Sequence, residues 1–186
     1  MSQAYQVTGG TPLHGTVRIG GAKNASYKLM IASLLAEGES ILLNLSNISD
    51  VSAVQHIIAH MGADVSRPGE RSVAINPQHL EQFDLSHTNG SQGRFSTMFI
   101  PALLSRFGRA IVPLPGGDKI GVRPLERHFD GLRAMGVDIK QRDNVIEATC
   151  KQITGTTYTF EKNTHTGTET LIMAAVRARG KTILNN

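Results

Sequence analysis

One cysteine, no tryptophan and an aromatic share of only 5% mark what this 186-residue chain lacks. A single thiol, Cys150, closes no internal disulfide and builds no cysteine-based zinc site. It ends the alternating run Val145-Ile146-Glu147-Ala148-Thr149-Cys150, which reads as a strand-end thiol rather than a nucleophile. With so few rings, there is no stacking platform for single-stranded nucleic acid. No apolar run reaches the roughly 20 residues of a membrane span. The longest candidate, Leu29 to Leu45, is interrupted by Glu37, Gly38 and Glu39. No basic-then-apolar leader opens the chain, so a cytoplasmic location is expected. Charge of one sign is scarce as well: 19 Lys and Arg against 15 Asp and Glu leave a net +4. That balance suits a small anionic ligand and is too small and too evenly spread to argue for nucleic acid.

What is present is a folded, repetitive chain. Hydrophobic residues make up 40% and charged residues 18%, a globular composition with enough length for a real core. Tyr5-Gln6-Val7 and Thr16-Val17-Arg18-Ile19 alternate around Gly9, Gly10 and Pro12, which predicts a hairpin over residues 4–19. Gly20-Gly21-Ala22-Lys23-Asn24 follows as a glycine turn. Leu29, Ile31, Leu34 and Leu35 then line a helix that stops at Gly38. Ile41 to Leu45 reads as a strand. Asp50 is the expected N-cap of a second helix carrying Val51, Val54, Ile57, Ile58 and Met61. Ala63-Asp64-Val65 and Val73-Ala74-Ile75 make a hairpin.

The same order recurs. Met98 to Gly108 repeats the character of Leu29 to Gly38, Ala110 to Leu114 repeats the strand, and His128 to Ile139 repeats His56 to Val65. A third copy starts at Thr170 and continues into Lys181-Thr182-Ile183-Leu184-Asn185. Copies of helix, strand, helix and hairpin are stacked units that bury their apolar faces only against neighbours. The third copy lacks its second helix and closing hairpin, so the expected reading is a truncated third unit in a longer protein. An exposed edge there invites self-association.

The most unusual stretch is Pro115-Gly116-Gly117-Asp118-Lys119-Ile120-Gly121-Val122-Arg123-Pro124, which can be neither helix interior nor central strand. It joins an apolar strand to an amphipathic helix running from Leu125 to Met135. Two readings are open for it: a tight turn with solvated charges, or a site. Three cations stand at glycine or helix-start positions: Lys23 after Gly20-Gly21, Arg94 after Gly93, and Arg123 after Gly121. Helix N-termini expose unpaired N–H groups, and a neighbouring Lys or Arg completes an anion pocket. Each alone reads as a solvated surface charge, but three at matching positions favour a phosphate- or carboxylate-bearing ligand. The glycine turn is neither a P-loop nor GxGxxG, which excludes the usual ATP and dinucleotide sites. His56 and His60 are an i,i+4 pair with no carboxylate on the same face, a solvated surface before a metal site.

Taken in order, Gly20-Gly21-Ala22-Lys23-Asn24, Arg94, Leu114-Pro115-Gly116-Gly117, Ile120-Gly121-Val122-Arg123-Pro124, Gly167-Thr168-Glu169 and Met173-Ala174-Ala175 form a pattern. It resembles the enolpyruvyl transferase family, in the branch acting on UDP-N-acetylglucosamine, over about the first half of such an enzyme. The sister branch acting on shikimate-3-phosphate fits less well, because it carries a Gly-Ser-Lys-Ser type segment where this chain has Gly21-Ala22-Lys23-Asn24.

The resemblance implies an α/β fold, an inside-out α/β barrel built from repeated helix-strand-helix-hairpin units with the third unit truncated. Residues 1–21 would be a hairpin belonging to the second domain of the family, and residues 22–186 a partial first catalytic domain. It also implies transfer of enolpyruvyl from phosphoenolpyruvate to the 3′-hydroxyl of UDP-N-acetylglucosamine, by addition and elimination, with no metal or organic cofactor and no nucleic-acid or membrane partner. Lys23, Arg94 and Arg123 would hold the phosphoenolpyruvate anion and Asn24 the sugar. Pro124, Leu125 and His128 would border the uridine. Lys162 or Asn163, with His165, Thr166 and Gly167, would approach the diphosphate. Asp118 stands where the family usually has the cysteine alkylated by fosfomycin, so an acid there would give the C3 proton or assist product release, and would escape alkylation. Without its missing second half, which supplies a further Asp and Arg, the chain would be inactive alone. The competing reading is a non-catalytic UDP-sugar- or anion-binding module.

Overall fold

The computed structural model of the chain describes residues 4–116 and 124–186. Asp118, Lys119 and Arg123, named above for the glycine-rich loop, lie outside the described residues.

The first unit runs α1 (Lys23–Ser33), β1 (Ser40–Leu42), α2 (Ser49–His60), β2 (Asp64–Gly69) and β3 (Ser72–Asn76). The second runs α3 (Phe99–Phe107), β4 (Arg109–Pro113), α4 (Glu126–Ala134), β5 (Asp138–Arg142) and β6 (Val145–Thr149). The third comprises β7 (Thr157–Thr159), α5 (His165–Val176) and β8 (Ile183–Asn185). The first two units close equivalent antiparallel sheets in the orders β1-β3-β2 and β4-β6-β5, with Ile41 opposite Ala74 and Ile111 opposite Glu147. The expected repeat is therefore present in space as well as in sequence.

Helix α3 lies at the centre of the core, packed against α1 and α5. Phe99 to Leu104 of α3 are buried without a break, so this helix has no solvent face. Pro101 sits in its first turn, where a missing N–H is tolerated. Gly108 ends it in the left-handed conformation at φ 68°, its N–H donating to the Leu104 carbonyl at 2.9 Å. Met30 and Ile31 of α1 and Leu171 and Ala174 of α5 are fully buried in the same core. Strand burial varies: β3 is buried from Ser72 to Ile75, whereas in β6 only Ile146 and Ala148 turn fully inward. Arg106 of α3 stitches the centre together, donating from Nε to the Leu34 carbonyl at 2.9 Å and from Nη2 to that of Ala36. Those are carbonyls at the C-terminal end of α1 that the helix itself leaves unpaired. Among the described residues no helix is long and apolar enough to cross a membrane.

Several expectations need correction. Residues 4–22 contain no strand, and Tyr5, Val7, Leu13, Val17 and Ile19 are all at least 80% exposed. A two-stranded hairpin is marginal without a third strand or a helix to pack on, and among the described residues no strand or helix covers these side chains. The stretch 20–24 is only in part a turn, because α1 already begins at Lys23. Asp50 does not cap α2: Ile48 holds the N-cap position and Asp50 lies in the first turn, paired with Lys23 instead. Strand β1 stops at Leu42, and Asn44 takes a positive φ of 54° two residues later. Helix α5 starts five residues before Thr170, at His165.

The repeat also has a member that the pattern does not predict. Strand β7 pairs in parallel with β8, and in the second unit Asp84 forms the equivalent parallel bridge to Ile111. Leu85 N–H donates to the Ile111 carbonyl at 2.7 Å, and Ile111 N–H to that of Phe83 at 3.0 Å. A three-residue parallel contact is too short to leave a period-2 signature.

Candidate active site

Helix α1 starts where Gly21 crosses the link between β1 and α2. A Cβ on Gly21 would sit 1.9 Å from the Asn44 carbonyl oxygen, so only glycine allows this approach. Ser26 Oγ then accepts from the Ser46 N–H at 2.9 Å while donating to the Ala22 carbonyl at 2.9 Å. These contacts place Lys23 and Asn24 in the first turn of α1, beside the first turn of α2. Lys23 Nζ lies 2.7 Å from Asp50 Oδ2, its side chain 59% exposed. An aspartate in the first turn of α2 also suits the positive end of that helix.

A second wall comes from α4 and α5. His128 is 4% exposed, and its Nε2 is 2.9 Å from Thr166 Oγ1 in the first turn of α5. Burial is the largest influence on its pKa, pushing it below the ordinary histidine value, and the positive charge of Arg94 adds to this. The Leu125 carbonyl works the other way. The imidazole is therefore neutral at neutral pH. Arg94 stands next to Phe95, whose ring centroid lies 6.0 Å from that of Tyr27 on α1. The Tyr27 phenol is raised in pKa by burial first and then by Glu169 and Asp50. Arg94 thus joins the two walls, within electrostatic reach of His128 and one residue from the ring that packs on α1.

The N-terminus of α5 is capped by Thr164, whose Oγ1 accepts from the Gly167 N–H at 3.2 Å. Any Cβ on Gly167 would meet Thr164 Cγ2 at 2.6 Å. Gly167 therefore serves the cap, and its N–H is already engaged; His165 and Thr166 are the residues of this turn with side chains to offer. Lys162 is exposed in the bend leading into α5. Pro124 is exposed and Leu125 half-buried at the start of α4. Gly116, the last described residue before the loop, packs so closely on Ser91 that a Cβ would come within 2.0 Å of its carbonyl oxygen. The loop thus leaves β4 beside the 3-10 turn Asn89–Gln92, two residues before Arg94.

Lys23 and Asn24 open α1, His165 and Thr166 open α5, and His128 meets Thr166, with Arg94 beside Phe95. Lys23 and Arg94 are not placed alike, however: Lys23 opens α1 itself, whereas Arg94 precedes α3 by a 3-10 turn over Ser96–Met98. Sequence reasoning gave no role to Tyr27, Lys28 or Glu169, and a different one to Asp50. Lys28 is buried on α1 between Tyr27 and Met30, while its neighbour Leu29 is exposed. His56 and His60 line a separate groove of about 210 Å³ with His87, Thr88 and Asn89. Among the described residues no three His, Cys, Asp or Glu side chains gather where a metal ion would sit.

Comparison with known proteins agrees with this architecture. The solved structure of the enolpyruvyl transferase NikO from Streptomyces tendae superimposes with a TM-score of 0.81 at 22% identity, covering 95% of this chain and 42% of that one. EPSP synthase from Acinetobacter baumannii gives 0.69 at 19% identity, covering 91% and 40%. At those identities the likeness is one of fold. In sequence, the chain is 39% identical over 180 residues to the UDP-N-acetylglucosamine 1-carboxyvinyltransferase of Halorhodospira halophila and 40% identical over 181 residues to that of Coxiella burnetii. Each alignment covers 97% of this chain, which spans 43% and 42% of the two relatives' lengths. Residues 7–186 match the family of EPSP synthase, 3-phosphoshikimate 1-carboxyvinyltransferase, and the chain belongs to that family.

Proposed function

We propose that this chain forms the anion- and nucleotide-sugar-binding part of an enolpyruvyl transferase that acts on phosphoenolpyruvate and UDP-N-acetylglucosamine, in the first step committed to peptidoglycan. The observation that supports the reading is the buried His128, hydrogen-bonded to Thr166 in the first turn of α5 and subject to the charge of Arg94, together with Lys23 in the first turn of α1. Cations beside helix N-termini suit a carboxylate and a phosphate held together on one small molecule. A buried, neutral imidazole hydrogen-bonded to a threonine suits the uncharged edge of a base or sugar. The relatives at 39–40% identity, both UDP-N-acetylglucosamine 1-carboxyvinyltransferases, favour UDP-N-acetylglucosamine over 3-phosphoshikimate.

In this reading Lys23 and Arg94, joined by Arg123, hold phosphoenolpyruvate, and Asn24 contacts the sugar. Pro124, Leu125 and His128 border the uridine, while Lys162 and His165 approach the diphosphate. Asp118 handles the proton at C3. A free aspartate has a pKa of about 3.9, so that role requires the bound anions to raise it. Residues 1–21 form their hairpin only against a second domain, which accounts for their exposed alternation of apolar side chains. Without that cover, those side chains favour self-association.

Isothermal titration of the 186-residue chain with UDP-N-acetylglucosamine, phosphoenolpyruvate and shikimate-3-phosphate tests the proposal. Binding of the UDP-sugar is expected, with phosphoenolpyruvate affinity reduced about tenfold or more in Arg94→Ala, the loss of a charge-assisted contact. Preference for shikimate-3-phosphate, or an Arg94→Ala chain that binds phosphoenolpyruvate as well as the parent, overturns it. A chain that binds the UDP-sugar and ignores phosphoenolpyruvate is the non-catalytic module.

A further inference from the structure

Helices α1 and α5 run in the same direction and are cross-linked twice by ion pairs. Near their C-terminal ends, Arg177 Nη1 lies 3.3 Å from Glu37 Oε1, with Glu37 85% exposed. Nearer their N-terminal ends, Lys28 Nζ donates to Glu169 Oε1 at 2.7 Å and lies 2.5 Å from Oε2. This second pair is the more shielded one, with the Lys28 side chain 9% exposed and that of Glu169 half-buried at 27%. Glu169 Oε1 is also 3.5 Å from Nε2 of His165, one turn back on α5.

A buried ion pair is an inefficient way to stabilise a fold, because two apolar side chains of similar size usually serve as well. What it adds is a fixed register between the elements it joins. Both ends of this pair lie about one helical turn behind the residues that face the ligand. Lys28 follows Asn24 by four positions and Glu169 follows His165 by four, roughly 6 Å along each axis. A lateral slip of one helix against the other would therefore pass almost undiminished to Asn24 and His165.

We propose that the Lys28–Glu169 pair is a positioning device for the nucleotide sugar. It sets the separation of the first turns of α1 and α5, and Glu169 holds His165 towards the diphosphate. Neither residue is catalytic. The inference rests on the UDP-sugar reading of the site for its ligand, and on geometry alone for the register of the two helices.

The test uses the full 186-residue chain in three forms: parent, the apolar double variant Lys28→Met/Glu169→Met, and the charge-reversed double variant Lys28→Glu/Glu169→Lys. The apolar variant should keep the parent's melting temperature yet bind UDP-N-acetylglucosamine between about tenfold and a hundredfold more weakly, the cost of a ligand group misplaced by about an ångström. Charge reversal should restore most of that affinity. Hydrogen exchange, read without ligand, should show faster exchange over residues 165–168 in the apolar variant only. An apolar variant that binds like the parent and protects those amides equally overturns the inference. If the parent itself binds no UDP-sugar, the ligand reading fails and the exchange result alone decides the register claim.

Discussion

At the scale of single residues, His128 is the side chain whose environment makes the most definite demand. Burial, its largest influence, and Arg94 both lower its pKa in the folded chain. The unfolded chain then binds the extra proton first. The contribution of the neutral imidazole to stability is complete above its unfolded value of about 6.5, and it is lost as pH falls from there through the folded pKa. Thermal melts between pH 8 and pH 5 should show this loss in the parent and a flatter profile in His128→Gln. Equal slopes in the two chains would place the acid sensitivity elsewhere. Legibility at this scale is uneven for a physical reason. Lys23, Arg94 and His128 stand beside glycine, proline or helix-start signals, so their chemistry shows locally. Lys28 and Glu169 lie 141 positions apart, and His128 and Thr166 lie 38 apart, so those pairings exist only once the helices are packed.

Among the elements, α3 is the one whose interruption would be felt most widely, and Arg106 is where that can be measured. Its guanidinium satisfies the Leu34 and Ala36 carbonyls at the end of α1, at a point where helices of two successive units meet. Arg106→Met keeps the stem and removes the donors, leaving two carbonyls short of partners. Chemical denaturation should register a loss of about 2 kcal/mol, equivalent to a melting temperature lower by roughly 4–8 °C for a chain of this size. A change below about 0.5 kcal/mol would mean that water replaces the guanidinium at no cost. Helices α2 and α3 are legible in the sequence because apolar spacing and a terminal glycine agree about them, as at Leu104 and Gly108, whereas α1 ends at Ser33, short of the expected Gly38. The parallel bridge at Asp84 is not legible, since two backbone bonds to Ile111 specify it. The hairpin over 4–19 has the right alternation but no surface to pack on, and alternation alone does not order a strand pair.

For the whole molecule, the question is what an open site can do. The chain spans 42–43% of the length of the relatives it matches, and the proposed binding region faces solvent, with Lys23 59% and His165 73% exposed at the side chain. Exposed charges of this kind can attract and orient an anion, because one good charge-assisted hydrogen bond suffices for weak binding. Addition of a hydroxyl to phosphoenolpyruvate asks for more. Developing charge must be met by fixed dipoles in a site from which water is excluded, and an exposed lysine already paired with Asp50 is largely screened. Binding and turnover should therefore separate in this chain. Phosphate release from phosphoenolpyruvate and UDP-N-acetylglucosamine, followed at substrate concentrations that saturate the titration, should stay at background for the 186 residues alone. Turnover matching a full-length relative under the same conditions would show that these residues close a complete site unaided, and that the solvent-facing arrangement around Lys23 and His165 is not the one in which the reaction occurs.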